Sequence, residues 1–155
     1  MELFSSPFDP TAVDYLQALD MPAYKVASFE VSDHILLRHI ARTRKPVILS
    51  TGIAELPAIC EAVQILRDHG TTELCLLKCT SAYPAPPEDA NLHTIANLAA
   101  TFGCVSGLSD HTTVLEVPVA SVALGGCFIE KHFKLCDDSG SPDDAFSLTP
   151  ERFAD

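Results

Sequence analysis

Two histidines have neighbours and spacing suited to chemistry. His111 closes the triplet Ser109-Asp110-His111, and His132 closes Glu130-Lys131-His132. Each triplet adjoins a short apolar run, at 105–108 and 127–130, that reads as a buried strand. Both imidazoles therefore fall at strand C-terminal ends, on consecutive strands. Two neutral imidazoles converging there suit a divalent transition metal with positions left open for water or substrate. Nearby carboxylates would orient the rings. The alternative is two unrelated histidines, each hydrogen-bonded near the surface.

Hydroxyls and lysines supply a second kind of chemistry. Ser50-Thr51-Gly52 ends an apolar run, and such a turn at a helix start can hold phosphate or carboxylate. Gly52 would let the backbone approach the ligand; helix capping is the simpler use of the same serines. Lys25 and Lys78 lie inside apolar runs, where an unpaired ammonium is costly to bury. Facing inward beside hydroxyls, they predict an anionic substrate. Facing a helical layer, they would only snorkel to water. The stretch 81–87, with prolines at 84, 86 and 87, reads as a stiff loop. It would either present Tyr83 over the site or act as a plain connector.

The elements that must position these residues alternate regularly. Apolar runs at 3–7, 24–29, 46–51, 74–79, 105–108 and 127–130 lack polar alternation, as strands buried on both faces do. Helical patterns lie between them. Asp9-Pro10 caps one that carries Val13 and Leu16, and Ser32 is expected to cap another with Leu36, Leu37 and Ile40. Others span 56–69, 92–102 and 114–124, with Gly70, Gly103 and Gly125-Gly126 placed to stop them. Thr149-Pro150-Glu151 starts one more. Strand–helix alternation of this kind builds a parallel α/β sheet. Polar clusters close nearly every strand, which favours a (β/α)8 TIM-barrel type, with sites around one mouth, over an open doubly wound sheet. About six units fit in residues 1–155, read as one partial barrel domain, and both ends are expected to be cut.

Bulk composition narrows the partners. A formal net charge of −11 argues against a nucleic-acid or anionic-membrane surface, which needs a basic stripe. No basic, apolar leader follows Met1, and no run approaches the ~20 apolar residues of a membrane span. The six cysteines form no C-x-x-C pair and mostly sit in apolar runs, so they read as reduced thiols of a cytoplasmic protein.

Six segments together resemble one family. They are Ser5-Ser6-Pro7-Phe8-Asp9, Tyr24-Lys25-Val26-Ala27-Ser28-Phe29-Glu30, Lys45-Pro46-Val47-Ile48-Leu49-Ser50-Thr51-Gly52, Leu77-Lys78-Cys79-Thr80-Ser81-Ala82-Tyr83-Pro84, Gly107-Leu108-Ser109-Asp110-His111-Thr112 and Ile129-Glu130-Lys131-His132-Phe133. In order and at this spacing they resemble the sialic acid synthase (NeuB) family, as does Pro142-Asp143 followed by Phe146-Ser147-Leu148. The Ala27-Ser28-Phe29-Glu30 and Leu77-Lys78-Cys79-Thr80 forms are most similar to its pseudaminic acid synthases.

The resemblance implies an incomplete barrel, lacking its first two units and a C-terminal antifreeze-like domain. It implies condensation of phosphoenolpyruvate with an open-chain N-acetylated amino sugar, with release of phosphate and dependence on Mn2+ or Mg2+. By position, His111 and His132 correspond to metal ligands and Glu130 to an active-site carboxylate beside them. Lys25, Ser28, Ser50, Ser81 and Ser109, with Ser6 where threonine is frequent, correspond to the phosphoenolpyruvate pocket. Glu30, Tyr83 and Asp143 correspond to sugar contacts. Cys136-Asp137 replaces the family's Asp-Arg, removing a positive charge near the sugar. The resemblance leaves room for an N-acetylneuraminate or legionaminate synthase, for an inactive fragment or non-catalytic domain, and for a homodimer or a complementing chain. A Schiff-base aldolase on the same fold is the further alternative, and it would need Lys25 or Lys78 as the nucleophile.

Overall fold

The computed structural model describes residues 2–137 and 140–155. Five strands, β1 (Tyr24–Val26), β2 (Val47–Ser50), β3 (Leu74–Cys79), β4 (Val105–Asp110) and β5 (Ile129–Lys131), pair in parallel in chain order. Helix α1 (Pro10–Ala18) precedes β1. Helices α2 (His34–Arg42), α3 (Leu56–Asp68), α4 (His93–Phe102) and α5 (Glu116–Ala123) fill the four crossovers, and α6 (Pro150–Ala154) follows β5. A parallel sheet with strands in sequence order and one helix per crossover is a barrel wall, because a doubly wound sheet reverses its order part-way. The molecule is a curled half-barrel with its helices on the outside.

Strand parity sorts the side chains. Tyr24, Val26, Val47, Leu49, Leu74 and Leu76 face outward, where they form one core with Val13, Leu36, Leu37, Ile40, Val63 and Leu66 of the helices. Each fully buried leucine there contributes about 1.5–3 kcal/mol, so this layer is what holds the strands in place. Lys25, Ile48 and Cys75 share one inward rung. Cys79, Ser109 and Glu130 share the inward rung at the upper strand ends. Lower down, Ile48, Cys75 and Leu77 pack with Phe128 inside the barrel. Gly107 permits the close approach there, since a Cβ would lie 2.0 Å from the Phe128 carbonyl oxygen.

Local expectations hold with four adjustments. The run at 3–7 is not a strand but a single parallel bridge from Ser5 to Tyr24, with the Lys25 amide donating to the Ser5 carbonyl at 3.1 Å. Pro7 has no N–H to extend it, and Asp9 caps α1 two residues later by accepting from the Ala12 amide. Residues Ser28–Glu30 leave β1 as a 3-10 turn. Helix α2 is capped by Asp33, not Ser32: its carboxylate accepts from the amides of Ile35 and Leu36 at 3.1 and 2.9 Å. Finally, β4 runs on to Asp110 and β5 spans Ile129–Lys131, so both histidines stand directly above paired strand ends. Among the described residues no helix is long and apolar enough to cross a membrane.

Candidate active site

One side of the mouth is a cationic, hydroxyl-lined nest. Lys25 is 7% exposed, so its ammonium must find acceptors. Its Nζ donates to Ser50 Oγ at 2.8 Å and to the Val26 carbonyl at 2.9 Å, and it stands 3.5 Å from Glu130 Oε2. Ser109 Oγ donates to Glu130 Oε1 at 3.1 Å, so β1, β2, β4 and β5 are joined through four side chains, Lys25, Ser50, Ser109 and Glu130. Ser28 Oγ accepts from the Gly52 amide at 2.9 Å. A Cβ on Gly52 would lie 2.2 Å from Ser81 Oγ and 2.9 Å from Ser28 Oγ, so only glycine fits among the hydroxyls. Ser81 Oγ is buried without a hydrogen-bond partner. A buried, unsatisfied hydroxyl next to Gly52 and Ser28, in the same mouth as Lys25, keeps hydrogen-bonding capacity for a ligand.

The two histidines form the other side. His111 Nδ1 lies 2.9 Å from the Thr80 carbonyl oxygen. A carbonyl only accepts, so Nδ1 carries the hydrogen and the neutral ring keeps its lone pair on Nε2. His132 Nδ1 is 3.4 Å from Asp143 Oδ2, which likewise leaves Nε2 turned away from its carboxylate partner. The ring centroids are 5.4 Å apart. Tyr83 lies over His111 at 4.2 Å, and Phe146 meets His132 at 4.8 Å and Tyr83 at 5.4 Å. The proline-rich loop is pinned by the Ala85 amide donating to the His111 carbonyl at 2.9 Å, and so presents Tyr83 to the mouth. Burial pulls the His111 pKa down, but hydrogen bonds to Cys79 and the Thr80 carbonyl push it above the ordinary value. Burial, then the neighbouring His111, hold His132 below it.

The model of the NeuB family matches the chain over its whole length, residues 1–155. The chain belongs to the NeuB family. It is 45% identical over 146 residues to a pseudaminic acid synthase of Helicobacter pylori, covering 94% of this chain and 43% of that protein. It is 41% identical to an N,N'-diacetyllegionaminic acid synthase of Campylobacter jejuni, covering 95% of this chain and 45% of that one. The crystal structure of N-acetylneuraminic acid synthetase from Leptospira borgpetersenii, in complex with citrate, superposes with a TM-score of 0.95 at 32% identity, over 99% of this chain and 54% of that one. The chain thus spans less than half the length of these two curated relatives.

Not every polar residue at the strand ends of this NeuB chain joins the mouth. Lys78 has outward parity: it faces the helical layer, donating to the Asp89 carbonyl at 3.1 Å and to Thr80 Oγ1. Of Lys25 and Lys78 only Lys25 points inward. Ser6 is half-buried, one residue past the bridge to β1, and makes no side-chain hydrogen bond to the other described site residues. Glu30 lies beyond Lys25 with Oε2 buried and unpartnered, and burial raises its pKa.

Two residues enter that sequence reasoning passed over. Cys79 Sγ lies 4.0 Å from His111 Nδ1. Burial raises its pKa, but hydrogen bonds with His111, Ser28 and Ser109 outweigh that and lower it overall. Its inward position was available from Ser81, two residues on with the same parity. Phe146 comes from a 3-10 turn, Asp144–Phe146, far along the chain, and no periodicity signals it. A cavity of about 700 Å³ lies at the opposite strand ends around Val47, Cys75 and Phe128. It is mostly apolar, and burial pushes the Cys75 thiol that lines it up to about 12.

Proposed function

We propose that this chain carries the active site of a nonulosonic acid synthase of the pseudaminic type. It condenses phosphoenolpyruvate with an open-chain N-acetylated amino sugar and releases phosphate. The observation that carries the reading is the anion nest of Lys25, Ser28, Ser50, Gly52 and Ser81 set against His111 and His132 in one mouth. Relatives named as pseudaminic and legionaminic acid synthases support the product class, and the higher identity to the former favours pseudaminic acid.

Phosphoenolpyruvate seats its phosphate and carboxylate on Lys25, Ser28, Ser50, Ser81 and Ser109, with Ser6 at the rim. Ser81 Oγ gains its missing acceptor there, and Lys25 keeps the charge neutralised as it moves from enol phosphate to leaving phosphate. Tyr83 and Phe146 form an apolar wall for the sugar chain, while Glu30 and Asp143 accept from its hydroxyl or amide groups. The C3 carbon of phosphoenolpyruvate bonds to the sugar aldehyde carbon, whose oxygen takes up a proton. Water adds at C2, its proton passes to a carboxylate, and the C2–O bond to phosphate breaks. Glu130, held by Lys25 and Ser109, is the carboxylate placed beside these atoms.

The two-imidazole donor set fits a divalent transition cation such as Mn2+, and Mg2+, which prefers oxygen ligands, less well. Both imidazoles are tethered through Nδ1 and keep Nε2 for a ligand bond, with acceptor groups around them. No cluster of three or more such ligands occurs among the described residues, so His111 and His132 would hold the ion with its other positions open. When bound it supplies Lewis-acid polarisation of the sugar aldehyde. A cytoplasmic enzyme, where phosphoenolpyruvate is available, fits this reading.

Titration calorimetry with phosphoenolpyruvate tests the nest directly. Binding weakens at least ~10-fold in Lys25→Met, the effect of losing one charge-assisted contact. Equal affinity of both proteins would remove Lys25 from the substrate pocket. Borohydride trapping of a carbonyl substrate on Lys25 would instead favour an aldolase.

A further inference from the structure

We infer that Asp110 and Lys131 form a positioning clamp for the two histidines, acting from the opposite face of the sheet. This rests on the reading of His111 and His132 as a metal pair. The two residues are direct cross-strand partners on the last paired rung of β4 and β5. The rung below carries Ser109 and Glu130 inward, and the next residue on each strand is a histidine. Parity turns Asp110 and Lys131 outward, so neither touches substrate or metal.

Their contacts tie down the backbone around His111. Lys131 Nζ is 2.7 Å from Asp110 Oδ2, with the two side chains 2% and 1% exposed. Asp110 Oδ1 accepts from the Thr112 amide at 3.0 Å, and Oδ2 accepts from Thr112 Oγ1 at 3.2 Å. Lys131 Nζ also donates to the Thr112 carbonyl. Residues 110 and 112, on either side of His111, are thereby fixed to residue 131, which precedes His132. Four contacts thus lock the separation of two rings that no direct hydrogen bond joins.

Energetics point the same way. A buried ion pair contributes little net stability, because desolvation cancels most of its attraction, and neutral replacement is often tolerated. What such a pair does supply is a single geometry. Here that geometry is the spacing of two Nε2 atoms, which must match one ion. The clamp is therefore a determinant of metal affinity rather than of folding.

The test uses a double variant, Asp110→Asn with Lys131→Met, which removes both charges and keeps an acceptor for the Thr112 amide. Two readouts separate the clamp from the metal reading. In metal-free protein with labelled histidine, nuclear Overhauser contacts of the His111 ring with His132 and Tyr83 report ring placement. They are present in the native chain and lost or averaged in the variant, while the amide spectrum stays dispersed. Mn2+ titration followed by electron paramagnetic resonance then shows about 10- to 100-fold weaker binding in the variant. Unchanged ring contacts overturn the clamp, and so does an unfolded double variant, which would make the pair a stability element. If the native chain binds no Mn2+ but the variant loses the ring contacts, the clamp stands and the metal reading falls.

Discussion

At the scale of single residues, the site depends on groups that folding alone would not favour. Glu30 has a buried, unpartnered carboxylate oxygen, and burial raises its pKa. A raised acid pKa means that the folded state disfavours the charged form. The penalty is absent below the unfolded-state pKa, about 4.3 for glutamate, and grows as pH rises through the folded value. Glu30→Gln is therefore expected to raise the melting temperature at pH 7, with the gain vanishing below about pH 4. A pH-independent gain would show that desolvation of the charge is not its source. Ser81 follows the same logic, as a buried hydroxyl without a partner. In the proposed function both atoms find their partners in the substrate.

At the scale of elements, the strands and helices were mostly legible because their signals are local. Asp9-Pro10, Gly103 and the unbroken apolar runs predict α1, the end of α4 and the strands, where the structure has them. Asp33 shows the limit. Ser32 and Asp33 are both good caps, and which one accepts from the free amides depends on backbone angles that composition does not encode. Asp33→Ala is expected to cost about 1 kcal/mol in chemical denaturation, while Ser32→Ala stays near zero. Equal losses would contradict the assignment. The segment at 3–7 failed for a tertiary reason: its apolar residues fit a strand, but Pro7 and the Asp9 cap leave it room for one bridge. Lys78 failed by parity, since one residue of register decides whether a strand lysine serves the site or the helical layer. Phe146 and Asp143 reach the mouth from a loop whose course is set by contacts distant in sequence, so no periodicity reveals it and only the resemblance at Pro142-Asp143 and Phe146-Ser147-Leu148 points to it.

At the scale of the whole molecule, two charges work against each other. The chain carries a formal −11, yet the proposed substrate is an anion. Long-range repulsion is screened by salt, whereas the contact with buried Lys25 is not. Phosphoenolpyruvate affinity is therefore expected to hold or tighten between 20 and 200 mM NaCl, within about twofold. A steep loss would mean that an exposed basic patch, not the nest, binds the anion. The half-barrel gathers Lys25, the hydroxyls, Glu130 and both histidines into one mouth, and the account stands on that convergence. The most direct test is phosphate release from phosphoenolpyruvate with Mn2+ and, in turn, the open-chain precursors of pseudaminic, legionaminic and N-acetylneuraminic acids. The account predicts release, fastest with the pseudaminic acid precursor, and abolished in both His111→Ala and His132→Ala. No release with any of the three, from a chain that still binds phosphoenolpyruvate and Mn2+, would contradict it.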